Sequence, residues 1–189
     1  MKVLIFDNYD SFTYNLVHYV EKILNQKVDV FRNDEITLDE IEKYDKIILS
    51  PGPGVPDEAG LLKPLIKRYA SSKSIFGVCL GMQAMAEVFG GKLLNINQVY
   101  HGVATPILQK TKDNVLFEGL PDTFEAGRYH SWIVDNQYLP SCFEVSSVDE
   151  NGQLMSIFHK EYDVRAVQFH PESILTPWGE KMIENWLKS

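Results

Sequence analysis

The chain has 189 residues, 44% apolar and 23% charged, which suits one globular domain able to bury a core without disulfides or metal. Its net charge of −8, with no Lys/Arg run longer than two, argues against a surface that tracks nucleic-acid phosphates. No stretch reaches the ~20 apolar residues that span a bilayer, and polar residues break the opening MKVLIFDNYD too early for a secretory leader, so a soluble, cytoplasmic protein is expected.

The first half alternates strand and helix. Val3 to Phe6 is an apolar run of the kind a parallel strand covered on both faces needs. Asp10 or Ser11 can cap a helix whose inner face reads Phe12, Leu16, Tyr19, Val20, Ile23 and Leu24. A second strand follows at Val28 to Phe31, then a short helix opened by the capping-box spacing of Thr37 and Glu40. Lys46 to Ser50 makes a third strand, ending in Pro51-Gly52-Pro53-Gly54. Leu61, Leu62, Leu65, Ile66 and Tyr69 predict a helix started or kinked near Pro64. Ser74 to Val78 is a fourth strand, and Leu80 to Phe89 a helix stopped by Gly90-Gly91. Beyond Gly91 short β-like runs meet at hairpin turns around Asn151-Gly152 and Glu161 to Asp163. A last helix is expected with Thr176 as cap, Pro177 in its first position, and Met182, Ile183, Trp186 and Leu187 inside. The fold class is α/β: an open, flavodoxin-like, mostly parallel sheet with helices on both faces and an antiparallel excursion in the second half. It forms a single domain over 1–189.

Three segments carry chemistry. In Gly77-Val78-Cys79-Leu80-Gly81 a strand runs straight into a helix, the cysteine form of a nucleophile elbow. The helix N-terminus favours a thiolate, and the Leu80 N–H can face a developing oxyanion. A buried structural cysteine between two packing glycines fits the same pentapeptide. In Gln168-Phe169-His170-Pro171-Glu172-Ser173, a His and a Glu two apart on an extended segment project to one side. There the carboxylate can orient the imidazole as a base. A surface turn after a strand is the plainer alternative. Ser50-Pro51-Gly52-Pro53-Gly54 ends the third strand where open α/β sheets bind ligands, and two glycines let backbone amides approach a substrate. It matches no nucleotide-binding loop, and a simple turn also suits it. His18, His101, His130 and His159 have no comparable neighbour. Cys142, the only other cysteine, reads as a small buried hydrophobe. No Cys/His spacing suits a metal.

In this order, together with Asn8-Tyr9-Asp10-Ser11-Phe12-Thr13 and Tyr129-His130-Ser131, the segments resemble the class I (triad) glutamine amidotransferase family over the whole chain. The NYDSFT opening and QFHPES ending look like the small subunits of anthranilate synthase and aminodeoxychorismate (para-aminobenzoate) synthase. The resemblance implies a catalytic triad of Cys79, His170 and Glu172 and an oxyanion hole at Gly54 and Leu80. It implies glutamine contacts at Gly52, Pro53, Gly54, Gln83, Ser131 and Trp132. It also implies a thioester intermediate, no cofactor in this chain, and ammonia passed to a large chorismate-binding subunit that would use Mg2+, in tryptophan or folate biosynthesis. Three positions depart from the family: Met82 where His is usual, Gly54 where many carry Cys, and Val103 where Lys is common. A stand-alone cysteine hydrolase and a non-catalytic flavodoxin-like module are the competing classes.

Overall fold

The computed structural model describes residues 1–189. The chain alternates β1 (Val3–Asp7), α1 (Thr13–Leu24), β2 (Asp29–Arg32), α2 (Leu38–Ile41), β3 (Lys46–Leu49), α3 (Leu62–Tyr69), β4 (Ser74–Val78) and α4 (Leu80–Val88). It then runs through β5 (Leu93–Asn95), β6 (Val103–Gln109), β7 (Thr123–Arg128), β8 (Trp132–Val134), β9 (Phe143–Val148), β10 (Leu154–His159) and β11 (Val164–Val167) to α5 (Gly179–Lys188). One nine-stranded sheet takes the order β2-β1-β3-β4-β11-β10-β9-β6-β7, and β5 pairs with β8 separately. The first five strands in that order are mutually parallel; the remaining joins are antiparallel. The parallel part has the flavodoxin-like order, whose ligand crevice lies beyond the carboxyl ends of the strands.

Period-two alternation explains how one sheet supports two apolar layers. Leu4, Phe6, Ile47 and Leu49 point into a layer shared with α3 and α4, while Val3, Ile5 and Ile48 point into one shared with α1 and α5. Each strand of the β1–β3 pair is therefore buried on both faces, which requires the near-continuous apolar runs seen in the sequence.

The capping box forms as expected: Thr37 Oγ1 accepts from the Glu40 N–H and Glu40 reaches back to the Thr37 N–H. Two other helix starts differ from the sequence reading. Asp10 accepts from the Phe12 N–H, but α1 begins at Thr13 with no side-chain cap bond. At the other end, α5 begins at Gly179 rather than at Pro177. Thr176 is not its cap, because its hydroxyl donates to the His170 carbonyl at 2.6 Å and accepts from the Gly127 N–H at 2.9 Å. Gly179 has no room for a side chain there, since a Cβ would lie 1.7 Å from the Pro171 carbonyl oxygen.

Candidate active site

Cys79 sits between β4 and α4 with φ 52° and ψ −98°, a left-handed-side conformation that a non-glycine residue holds only under strain. Its own N–H is tied to the Val167 carbonyl at 2.8 Å, so the elbow is anchored on β11. The flanking glycines serve close packing, the role that the alternative reading of the pentapeptide gave them. Neither has a positive φ; both are needed for close approach. A Cβ on Gly77 would lie 2.8 Å from the Gly81 backbone, and one on Gly81 3.1 Å from Leu49. Strand and helix can pack this closely only without those side chains. Cys79 is 6% exposed, so its thiol is sheltered. Cys142 is the more accessible of the two thiols, packed against the edge of the core, and burial raises its pKa.

His170 reaches the site from the chain following β11. Its N–H pairs with the Gly127 carbonyl at 2.9 Å, tying it to the end of β7. The segment is a turn and not the extended run expected. The Ser173 N–H donates to the His170 carbonyl at 3.2 Å, with Pro171 in the position of such turns that suits its fixed φ. The turn still brings the pair together: His170 Nδ1 and Glu172 Oε1 are 2.6 Å apart. Burial alone would lower the His170 pKa. The Glu172 charge and then Cys79 override it, and the imidazole is held well above its ordinary value. Because Glu172 occupies Nδ1, Cys79 acts on the Nε2 edge, which has no fixed partner of its own. Phe12 and Tyr129 flank the ring, with centroids at 6.4 and 4.8 Å.

A cleft of about 250 Å³ opens beside the sulfur, lined by Gly52, Pro53, Gly54, Cys79, Gln83, Tyr129, His130, Ser131 and Trp132. Every binding residue expected from the sequence is on its wall, and Leu80, the other expected oxyanion residue, occupies the first position of α4. Its N–H there has no intrahelical acceptor. Gly52 is forced by close approach: a Cβ would lie 2.5 Å from the Asn8 carbonyl oxygen. Asn8 also grips the loop through its Nδ2 on the Ser50 carbonyl and its N–H on Ser50 Oγ, both at 2.8 Å. Gly54 has φ +71°, which favours glycine. Of the departures from the family pattern, Met82 is fully buried in the α4 layer and Val103 is 46% exposed, and neither lines the cleft. A larger groove, about 770 Å³, runs past Asn33, Leu38 and Arg68, but it shares no residue with this cleft.

Sequence reasoning did not single out two residues that the structure places at the thiol and on the cleft wall. Gln168, fully buried, donates from Nε2 to Cys79 Sγ at 3.4 Å and accepts from Gln83 Nε2 at 3.2 Å, so it links the thiol to the cleft wall. Its position two residues before His170 in the same motif was the available signal. His130, set aside as ordinary, is 7% exposed and faces the cleft.

Residues 4–189 match the model of the family described as glutamine amidotransferase class-I. A Bacillus subtilis protein named aminodeoxychorismate/anthranilate synthase component 2 is 46% identical over 189 residues, covering 99% of this chain and 96% of the relative. Aminodeoxychorismate synthase component 2 of Escherichia coli K12 is 45% identical over 187 residues, covering 98% of both. A solved Thermoplasma acidophilum structure, provisionally described as a GMP synthase subunit, superposes with a TM-score of 0.88 at 26% identity, over 100% of this chain and 92% of that one. With the family model matched from the first strand to the last residue, with the elbow and the glycine loop meeting at one cleft, and with the His170–Glu172 pair acting on Cys79, the chain belongs to the class-I glutamine amidotransferase family.

Proposed function

We propose that this chain is the glutaminase component of a chorismate-aminating synthase, anthranilate synthase, aminodeoxychorismate synthase or both. The observation that carries the glutamine chemistry is the meeting of Cys79, Gln83 and the Gly52–Gly54 loop in one cleft, with Glu172 on His170 Nδ1 and Cys79 acting on the same imidazole. The names of the relatives support the choice of partner reaction.

In this reading His170 holds at Nε2 the proton taken from the Cys79 thiol, as its raised pKa favours, and Sγ attacks the amide carbon of L-glutamine. The oxyanion is met by the Leu80 N–H and by a donor from the Gly52–Gly54 loop. His170 returns the proton to the leaving nitrogen, and ammonia departs from a γ-glutamyl thioester. Water then attacks the thioester, giving up its proton to His170. Glutamate leaves, and the proton returns to the thiolate. Each step uses side chains and backbone of this chain; the expected Mg2+ belongs to the partner, where ammonia meets chorismate. Ammonia freed into neutral water would become NH4+, which is no nucleophile, so release must be coupled to a large subunit. The Asn8–Thr13 segment is a suitable contact region. Tyr9 within it and Tyr14 just after it are 48% and 69% exposed, whereas Asn8 and Phe12 touch the glycine loop and the His170 ring.

The test is a reconstituted complex carrying Cys79→Ser. Product formation from glutamine is expected to vanish and formation from high ammonium to persist. Equal loss from both nitrogen sources would reject the division of labour. Glutamate release by the lone chain at the full rate of the complex would favour the stand-alone hydrolase instead.

A further inference from the structure

The reaction above leaves idle a second histidine on the cleft wall. Both ring nitrogens of His130 are engaged. Arg128 Nε donates to His130 Nε2 at 3.1 Å, and because a guanidinium can only donate, Nε2 must carry its lone pair. The ring proton therefore sits on Nδ1, which donates to the Trp132 carbonyl oxygen at 3.1 Å. Arg128 cannot turn away from this task. It is 1% exposed, with Nη1 2.7 Å from the Asp149 carboxylate and Nη2 2.8 Å from Gln153 Oε1. Its guanidinium lies over the Tyr100 ring at 3.5 Å, and Tyr100 also stacks on His130 with centroids 5.3 Å apart. Burial, and then the Arg128 charge, push the His130 pKa down to about 3, so the ring stays neutral.

The Trp132 carbonyl takes a second donor, Gln83 Nε2, at 3.0 Å. Two donors use both of its lone pairs. The preceding carbonyl, Ser131, is held by the Ile96 N–H at 2.8 Å. The Ser131–Trp132 wall and the Gln83 amide are thus oriented by one shared acceptor, whose geometry depends on which nitrogen of His130 bears the proton. In the other tautomer a lone pair would face the Trp132 oxygen and the wall would move.

We propose that Arg128 and His130 are positioning residues for substrate affinity: Arg128 imposes the Nδ1–H tautomer of His130, and that tautomer holds the Ser131–Trp132 backbone and Gln83 in the shape that receives the substrate. The proposal rests on the glutamine reading of the cleft. It assigns His130 no proton transfer, since neither nitrogen is free.

Two electrophiles separate binding from nucleophile reactivity on the full chain, with the labelled cysteine identified by peptide mapping. Iodoacetamide requires only a reactive Cys79, whereas a glutamine-shaped diazoketone must also dock in the cleft. In His130→Ala the half-saturating diazoketone concentration is expected to rise about tenfold, the scale of one lost hydrogen bond. Iodoacetamide alkylation of Cys79 is expected to stay within about threefold of wild type. His130→Asn places an amide N–H where Nδ1–H stands and is expected to recover most of the affinity. His130→Gln extends its amide toward Arg128 and should recover little. Unchanged half-saturation in His130→Ala overturns the proposal, and so does equal behaviour of the Asn and Gln variants. Parallel loss of iodoacetamide labelling in His130→Ala would make His130 a folding residue only, which also overturns it. If the diazoketone fails to saturate labelling of Cys79 in the wild-type chain, the glutamine reading itself falls.

Discussion

His170 Nδ1 stands 2.6 Å from Glu172 Oε1, with the two side chains only 4% and 0% exposed. In such an enclosure an isolated imidazole would shed its proton, yet the Glu172 charge outweighs burial and the pKa is raised well above the ordinary value. A raised folded-state pKa stabilises the fold fully below the unfolded value of ~6.5, and that contribution is lost as pH rises through the folded value. Glu172→Gln should therefore cost more melting temperature at about pH 6 than at about pH 9. It should also lower the His170 pKa when the ring is titrated by NMR. An identical His170 titration in the variant would show that Glu172 does not control the imidazole.

The backbone at Cys79 stores strain, which the proposed nucleophile role would explain. With φ at 52° the position suits glycine better than cysteine. Cys79→Gly is expected to stabilise the fold by about 1 kcal/mol, roughly 2–4 °C in Tm, while abolishing glutaminase activity. Calorimetry on the two proteins decides the point, and a lower Tm for the glycine variant would mean that packing of the sulfur outweighs the strain.

Gly52 and Gly54 should respond differently to alanine. At Gly52 the new Cβ meets backbone, 2.5 Å from the Asn8 oxygen, so loop and Asn8 must part. A loss of about 2 kcal/mol and a large fall in glutamine turnover are expected there. At Gly54 the nearest atom is the tip of the flexible Glu58 side chain, which can move, leaving mainly the strain of φ +71° at about 1 kcal/mol. Denaturant melts and steady-state rates of the two variants, compared side by side, check the order.

Accessibility and reactivity are expected to part company at the two thiols. Cys142 is the more exposed, but its raised pKa keeps it protonated, and it does not line the cleft that holds Cys79. A glutamine-like electrophile should label Cys79 first. Peptide mapping that places the label mainly on Cys142 would remove Cys79 from the role of nucleophile.

The alternation of apolar runs with helical faces was enough to place β1, β3, β4 and α4, because strands covered on both sides carry polar residues only at their ends. The elbow, the glycine loop and the His-Pro-Glu segment were equally legible, since each is a local motif with its own chemistry. What no local pattern contained was the reason for several residues. The sequence left open whether Gly77 and Gly81 serve the elbow or helix–sheet packing; the answer lies in a Gly77 Cβ 2.8 Å from the Gly81 backbone and a Gly81 Cβ 3.1 Å from Leu49. Thr176 read as a helix cap because its sequence neighbours allow it, yet its hydroxyl is spent on Gly127 and His170. Arg128, His130 and Gln168 make their contacts only where β7, β8 and β11 come together. Hydrogen bonds between residues 21 and 85 positions apart leave no periodic trace in a chain. By itself, then, the sequence determined which groups could do chemistry and on which elements they ride. The tertiary structure decided which neighbours orient them, because orientation depends on contacts at hydrogen-bond range between segments far apart in the chain.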